Sequence, residues 1–423
     1  RRHQLVRSGG LREVSWQRVA DRSPLVRAAF APYDPNFNVS PSVALNSRFT
    51  AKGPRKAHDP IGLGPWGTVQ MAGNVREWVW NDADGEALTL GGSWSDYMDN
   101  NRYATTAHRM QRFEVNGVRL MKTLSAPIPD QLKAPIHLAY TESSFQLPAS
   151  DEAFRIMSSQ FIQARSAVLD TKVEIVQEAA LWIAEEATVQ YADKSSAMFY
   201  VMRPKRLAGK VQPIIYGPAQ NCCNSKRPNR NALENIAFAE YVVNSGRALV
   251  VPIWAGSYER FTPIDLDPKA MADRQRRAAV DWQQDLARAL DYLATRADID
   301  VDRAGYFGFS RGASHIAITL AMEPRIKAAV LLSGGIPMGE LPHPMIDIVN
   351  YAPRIRMPLL MINGRFDHIY PYKQSQQRLF ALLGTPADKK RHIAYETGHF
   401  AYPPNSTARD ATDWFDKYLG ASR

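Results

Sequence analysis

Apolar positions follow two different patterns along the chain, and the change between them falls near residue 150. Beyond it, short apolar blocks alternate with stretches of helical period. EEATVQYA (185–192) and SAMFYVMRP (196–204) read as two strands around the turn DKSS. Further strands are predicted at QPIIYGP (212–218), RALVVPIW (247–254), AGYFGF (304–309), KAAVLLSG (327–334), PLLMINGR (358–365) and RHIAYET (391–397). Helices are predicted over 231–245, closed by Gly246, then over 275–296, 311–322, 372–384 and from about 406 onward. In the second of these, Trp282, Leu286, Ala289, Leu290 and Leu293 share one face. Ser150 and Asp151 offer an N-cap, and Phe154, Met157 and Phe161 recur at helical spacing, so a short amphipathic helix opens the region. Near-continuous apolar strands separated by helices predict an α/β fold with a mostly parallel sheet covered on both faces.

The first 123 residues lack this rhythm: Gly, Pro, Asn and Trp punctuate short apolar runs. A small irregular unit is expected there, with Trp78, Trp80 and Trp94 forming its compact core. The stretch 125–150 carries four prolines and no periodicity, which predicts a linker or a strap across the surface. The expected division is therefore 1–123, a Pro-rich linker over 124–150, and 151–423; a chain of 423 residues is comfortable for two domains.

Composition adds exclusions. The net charge of +10 invites an anionic partner, but the basic residues are scattered and the cluster NSKRPNR (224–230) sits in a loop, so a solvated surface and no nucleic-acid partner are expected. The longest apolar stretches, such as ALVVPIWAG (248–256), fall well short of the roughly 18–20 residues a membrane helix requires, so no membrane segment is expected. The chain opens RRHQLVRSGG, with no initiating Met and no secretory signal, which suggests a cytoplasmic fragment of a longer protein. Cys222 and Cys223 are the only cysteines, and adjacent cysteines bridge only with strain, so no disulfide is expected.

The chemistry centres on GYFGFSRGAS (305–314), which places Ser310 between Gly308 and Gly312 where a strand meets a helix. A nucleophile elbow needs that context, because the strained turn projects the hydroxyl at the helix N-terminus. A serine hydroxyl needs a base held by a carboxylate. Asp367 lies in NGRFDHIYP after one predicted strand, and His399 lies in TGHFAYP after the next, giving the order Ser, acid, His. Asp347 is the rival acid; His315, His343, His368 and His392 are the rival bases. The oxyanion donors expected are the backbone N–H of Arg311 and, from the loop after QPIIYGPAQ, that of Ala219 or else Gln220. Tyr258 and His368 are candidate substrate contacts, and Glu259 and Arg260 have a surface ion pair as the plainer reading.

Residues from about 150 to 421 resemble the α/β-hydrolase superfamily, within it the dienelactone hydrolase, acetyl-xylan esterase and prolyl-oligopeptidase-like group, through DIDVDRAGYFGFSRGA, PLLMINGRFDHIYP and YETGHF. The resemblance implies a Ser-Asp-His hydrolase of small-molecule esters that requires no cofactor, with peptidase activity or ligand sensing as alternatives. The first 123 residues resemble the C-terminal part of a formylglycine-generating enzyme (sulfatase-modifying factor) domain, through GPWGTVQMAGNVREWVWN, LGGSW and NGVRL. That resemblance implies a C-type-lectin-like α+β fragment, and the order of modules implies an upstream kinase domain in a longer parent. The oxidising members use a cysteine pair, yet no cysteine precedes Cys222, so a non-catalytic accessory domain is expected. The family's calcium site maps onto Glu77, with Gly73 and Val75 as carbonyl donors, while Gln70 stands where the family carries Asp or Asn.

Overall fold

The computed structural model describes residues 46, 53–59, 68–83, 85–96, 104–122, 127–136, 146–161, 167–206, 209–223, 233, 239–261, 268–338, 343–399 and 403–422. The chain forms two compact units. The smaller comprises 1–140 with 364–372 and 394–402; the larger comprises 141–363, 373–393 and 403–423.

The smaller unit carries a four-stranded sheet of β1 (Arg76–Ala83), β2 (Glu86–Leu90), β3 (Thr105–Ala107) and β4 (Asn116–Gly117), in the order β3-β2-β1-β4. The β1–β2 ladder is antiparallel and its register shifts between Trp78 and Asp82. Across it β1 advances four residues while β2 advances two, so residues 79–81 stand outside the regular pairing. Trp80 is consequently 73% exposed, while Asn81 and Ala83 turn inward. This corrects the expected three-tryptophan core: Trp94 is buried with Ala107, Val115 and Phe366, Trp78 packs against them partly buried, and Trp80 faces solvent. From the proline-rich stretch, residues 130–136 are held to β1. Asn81 Nδ2 donates to the carbonyls of Leu132 (2.9 Å) and Ala134 (2.7 Å), and Ile136 bridges to Ala83.

The larger unit is built on a nine-stranded sheet. Its strands are β5 (Val168–Glu178), β6 (Trp182–Tyr191), β7 (Ser196–Pro204), β8 (Pro213–Gly217), β9 (Ala248–Pro252), β10 (Ala304–Phe309), β11 (Ile326–Leu332), β12 (Leu359–Gly364) and β13 (Lys390–Tyr395). The order is β13-β12-β11-β10-β8-β9-β7-β6-β5. Strands β9, β8, β10, β11 and β12 run parallel, whereas β5, β6 and β7 form an antiparallel meander joined antiparallel to β9. The sheet is thus mixed, and its topology is α/β-hydrolase-like. The central strands are buried along nearly their whole length, which is why they read as unbroken apolar blocks. Sequence patterning gave no expectation for β5, an edge strand whose residues are mostly exposed.

Helices cover the sheet close to where they are expected. Pro268–Ala294 begins earlier than the predicted 275, with proline as its first residue, and buries Trp282, Leu286, Ala289, Leu290 and Leu293. Asp151–Ser158 is capped as read, Ser150 Oγ accepting from Ala153 N–H at 3.2 Å. The predicted 311–322 helix is one α-turn, Arg311–Ser314, continued as a 3-10 helix over Ile316–Ala321. The 372–384 segment opens with a π-helical turn at Tyr372–Gln377 before Arg378–Leu382. Of the helix expected over 231–245, Glu240–Asn244 is described, and 234–238 lie outside the described residues.

Helix and sheet meet most closely at Gly312, where an added Cβ would stand 2.0 Å from the carbonyl oxygen of Gly217. Neither backbone can yield cheaply. Gly312→Ala is expected to lower stability by about 1–3 kcal/mol, read as a drop in the urea midpoint. Gly53→Ala, whose Cβ would meet nothing within 4 Å, is expected to leave it nearly unchanged.

Candidate active site

At the end of β10, Ser310 turns the chain with φ 53° and ψ −105°, a conformation costing on the order of 1–3 kcal/mol for a residue with a side chain. The surroundings hold it there. Ser310 N–H donates to Leu332 O at 2.8 Å, and Ser310 O accepts from Ala313 N–H at 2.9 Å. The turn can be this tight because an added Cβ at Gly308 would lie 2.5 Å from Gly312 O. Ser310 therefore stands at a tight strand-turn-helix junction, 6% exposed. The loop after β8 is tied to it: Gly312 N–H donates to Pro218 O (2.9 Å), and Tyr306 Oη donates to Gly312 O (2.7 Å). Ala219, on that loop, is buried, and Gln220 is exposed. Arg311 directs its guanidinium over the Trp282 ring, 4.6 Å from the centroid.

In the smaller unit, Asp367 and His399 are both buried and joined directly, with His399 Nδ1 2.7 Å from Asp367 Oδ2. The imidazole therefore meets the carboxylate through Nδ1. Asp367 Oδ1 accepts from the N–H groups of Ile369 (2.8 Å) and Tyr370 (3.0 Å), which fixes the carboxylate plane. The Tyr370 and His368 rings stand 5.7 and 6.4 Å from the His399 ring, centroid to centroid. Tyr370 was not among the residues singled out from sequence; its place two residues beyond His368 in the DHIYP run was the available signal. In the sheet, β10 and β12 both run parallel to β11, so the segments leading to Ser310 and to Asp367 leave their strands in the same sense.

The rivals have other tasks. Asp347 Oδ1 caps a short helix by accepting from Val349 N–H at 3.0 Å. His392 Nε2 lies 3.2 Å from Asn363 Oδ1, with its ring 5.6 Å from that of Phe380. His343 Nδ1 accepts from Met345 N–H at 3.2 Å. His315 Nδ1 lies 3.0 Å from Ser314 Oγ. Tyr258, a candidate substrate contact, is 1% exposed, and Arg260 pairs with the buried Asp285 at 2.7 Å rather than with a surface acid. Cys222 is disulfide-bonded, against expectation, and Cys223 is the only other cysteine in the sequence.

For the calcium donors implied by resemblance, the donor set already answers to a cation of the chain itself. Glu77 Oε1 accepts from Arg119 Nε at 2.5 Å, and Arg119 Nη2 donates to the carbonyls of Val69 (3.0 Å) and Gln70 (3.3 Å). Gln70 Oε1 is taken by Asn74 Nδ2. A divalent ion beside that guanidinium would meet repulsion and a spent carboxylate, so Glu77 does not fit a calcium site as arranged, and the carbonyls of Gly73 and Val75 are left without their carboxylate. Among the described residues, no group of three or more His, Cys, Asp or Glu side chains could hold a metal ion, and no helix is long and apolar enough to cross a membrane.

Residues 271–411, which include Ser310, Asp367 and His399, match the profile of the family described as serine hydrolase (FSH1). No curated protein matches the chain. Solved structures with similarity include a cold-adapted esterase from an Arctic intertidal metagenomic library: 19% identity, 57% of this chain, 97% of that one, TM-score 0.45. Acetyl xylan esterase 1 from Thermoanaerobacterium sp. matches at 16% identity over 64% of this chain and 95% of its own, with a TM-score of 0.46. An acetyl xylan esterase from Paenibacillus sp. matches at 17% identity over 66% and 98%, with a TM-score of 0.45.

Burial pushes the imidazoles of His315 and His368 down to about 4 from the ordinary 6.5; Arg311 reinforces the shift at His315, and Asp367 partly opposes it at His368. Between those values the folded chain binds fewer protons than the unfolded one. Stability is therefore full above pH 6.5 and is lost as pH falls towards 4, at roughly 1.4 kcal/mol per pH unit for each histidine. Replacing either one with Asn is expected to flatten the urea-midpoint profile across that window and leave the slope above it unchanged.

Proposed function

We propose that this chain is a serine hydrolase, as the profile matched over 271–411 supports, and that it cleaves carboxylic esters of small molecules with Ser310 as nucleophile, His399 as general base and Asp367 as the residue that orients the imidazole. The observation that carries this reading is the buried 2.7 Å Asp367–His399 bond, which fixes the imidazole through Nδ1. Ser310 Oγ attacks the acyl carbon while His399 Nε2 takes its proton. The tetrahedral oxyanion is held by the backbone N–H groups of Arg311 and Ala219. Collapse releases the alcohol, which leaves with the proton from His399. Water, deprotonated by the same imidazole, then attacks the acyl-serine, and His399 returns that proton to Ser310 Oγ as the acid departs. The ester reading rests on the chemistry: with the same general acid, an alcohol is a better leaving group than an amine.

In this reading His368 lines the acyl pocket. Residues 1–123 are a non-catalytic accessory module of formylglycine-generating type that holds Arg119 in place of calcium. Hydrolysis itself requires no cofactor.

A fluorophosphonate probe is expected to label the wild type and not Ser310→Ala; equal labelling of both would remove Ser310 from the mechanism. His399→Ala is expected to reduce kcat on p-nitrophenyl acetate by roughly 10⁴- to 10⁶-fold, and Asp367→Asn by roughly 10⁴-fold.

A further inference from the structure

One buried ion pair in the N-terminal module touches both loops that the mechanism above depends on. Arg76, on β1, is 1% exposed, and its Nη2 donates to Asp96 Oδ1 at 2.5 Å. Its Nε and Nη1 have no hydrogen-bond partner, and its Cζ stands over the Phe366 ring, 3.6 Å from the centroid. Phe366 is the residue before Asp367. It is buried with Trp94, Ala107 and Val115, and Phe113 meets its ring edge-on at 5.4 Å.

Asp96, fully buried, accepts from Ser93 N–H (2.7 Å) and Ser93 Oγ (2.9 Å) through Oδ2. It also accepts the backbone N–H of Gly398, the residue before His399. Ser95 Oγ donates to Glu396 O at 3.2 Å on the same loop. The two loops are cross-linked as well, through Arg365 N–H to Tyr395 O (2.7 Å) and Phe366 N–H to Thr397 O (3.0 Å). Burial lowers the Arg76 pKa to about 10, which still leaves the side chain cationic at neutral pH.

A charged pair this deep costs several kcal/mol in lost hydration. Apolar residues would fill the space with less penalty but could not receive the Gly398 N–H.

We propose that Arg76 and Asp96 are positioning residues for hydrolysis: through Phe366 and Gly398, the N-terminal module sets the backbone that carries Asp367 and His399. The proposal rests on the Ser310–His399–Asp367 reading above. A misplacement of about 1 Å between reacting groups can cost on the order of 100-fold in rate.

The test compares Asp96→Asn, Arg76→Met and the double variant Arg76→Met/Asp96→Asn, in which neither charge is left buried alone. Arg109→Ala, on an exposed arginine of the same module, is the control. On p-nitrophenyl acetate, kcat is expected to fall roughly 10- to 100-fold in each variant with KM within about twofold. The acidic limb of the kcat/KM profile should move to lower pH as the Asp367–His399 bond loosens. The control should match the wild type. A folded double variant, by circular dichroism, with wild-type kcat and an unmoved profile overturns the proposal. Fluorophosphonate labelling separates the two failures: if Ser310→Ala still labels, the triad reading falls; if labelling depends on Ser310 but the Arg76 and Asp96 variants turn over normally, only the positioning role falls.

Discussion

An imidazole and a carboxylate, 2.7 Å apart and shut away from water, impose the main demand on this molecule. Each would lose heavily by burial alone, so the chain must satisfy every remaining site on them. It does so locally on the acid, where two successive backbone N–H groups close on Oδ1. The cost is also geometric, because a hydrogen bond that orients the imidazole works only if both parent loops are rigid. The cross-loop bonds of Arg365 and Phe366 and the packing around Phe366 provide that rigidity.

The serine meets a different constraint. Its backbone is held in a left-handed conformation by a carbonyl on one side and tightly packed glycines on the other. Strain of this kind persists only where neighbouring structure overdetermines it. Parallel strands buried on both faces provide such a frame, and the Gly217–Gly312 approach is close enough that no side chain fits between them.

Much of this was legible in the sequence. The buried central strands announce themselves as apolar blocks, and Ser310, Asp367 and His399 each follow a strand in a distinctive short run. What was not legible depended on register or on long-range contact. One ladder irregularity in β1 turned Trp80 outward, a change no periodicity could reveal. Strand β5 was missed because a solvated edge carries no apolar block. Burial of Tyr258 and pairing of Arg260 with Asp285 depend on a helix that comes later in the chain. The disulfide at Cys222 escaped because adjacent cysteines bridge only with strain, and spacing alone argues against it. Neither the Arg76–Asp96 pair nor its contacts with residues some 270 to 320 positions away could be inferred from spacing.

The Arg119–Glu77 contact has a different kind of reach. A counter-charge built into the polypeptide cannot dissociate, so its local concentration is fixed by the fold and not by the surrounding medium. The turn from Val69 to Glu77 is fastened by that guanidinium at both ends, through two carbonyls and a carboxylate, so its brace comes with the chain itself.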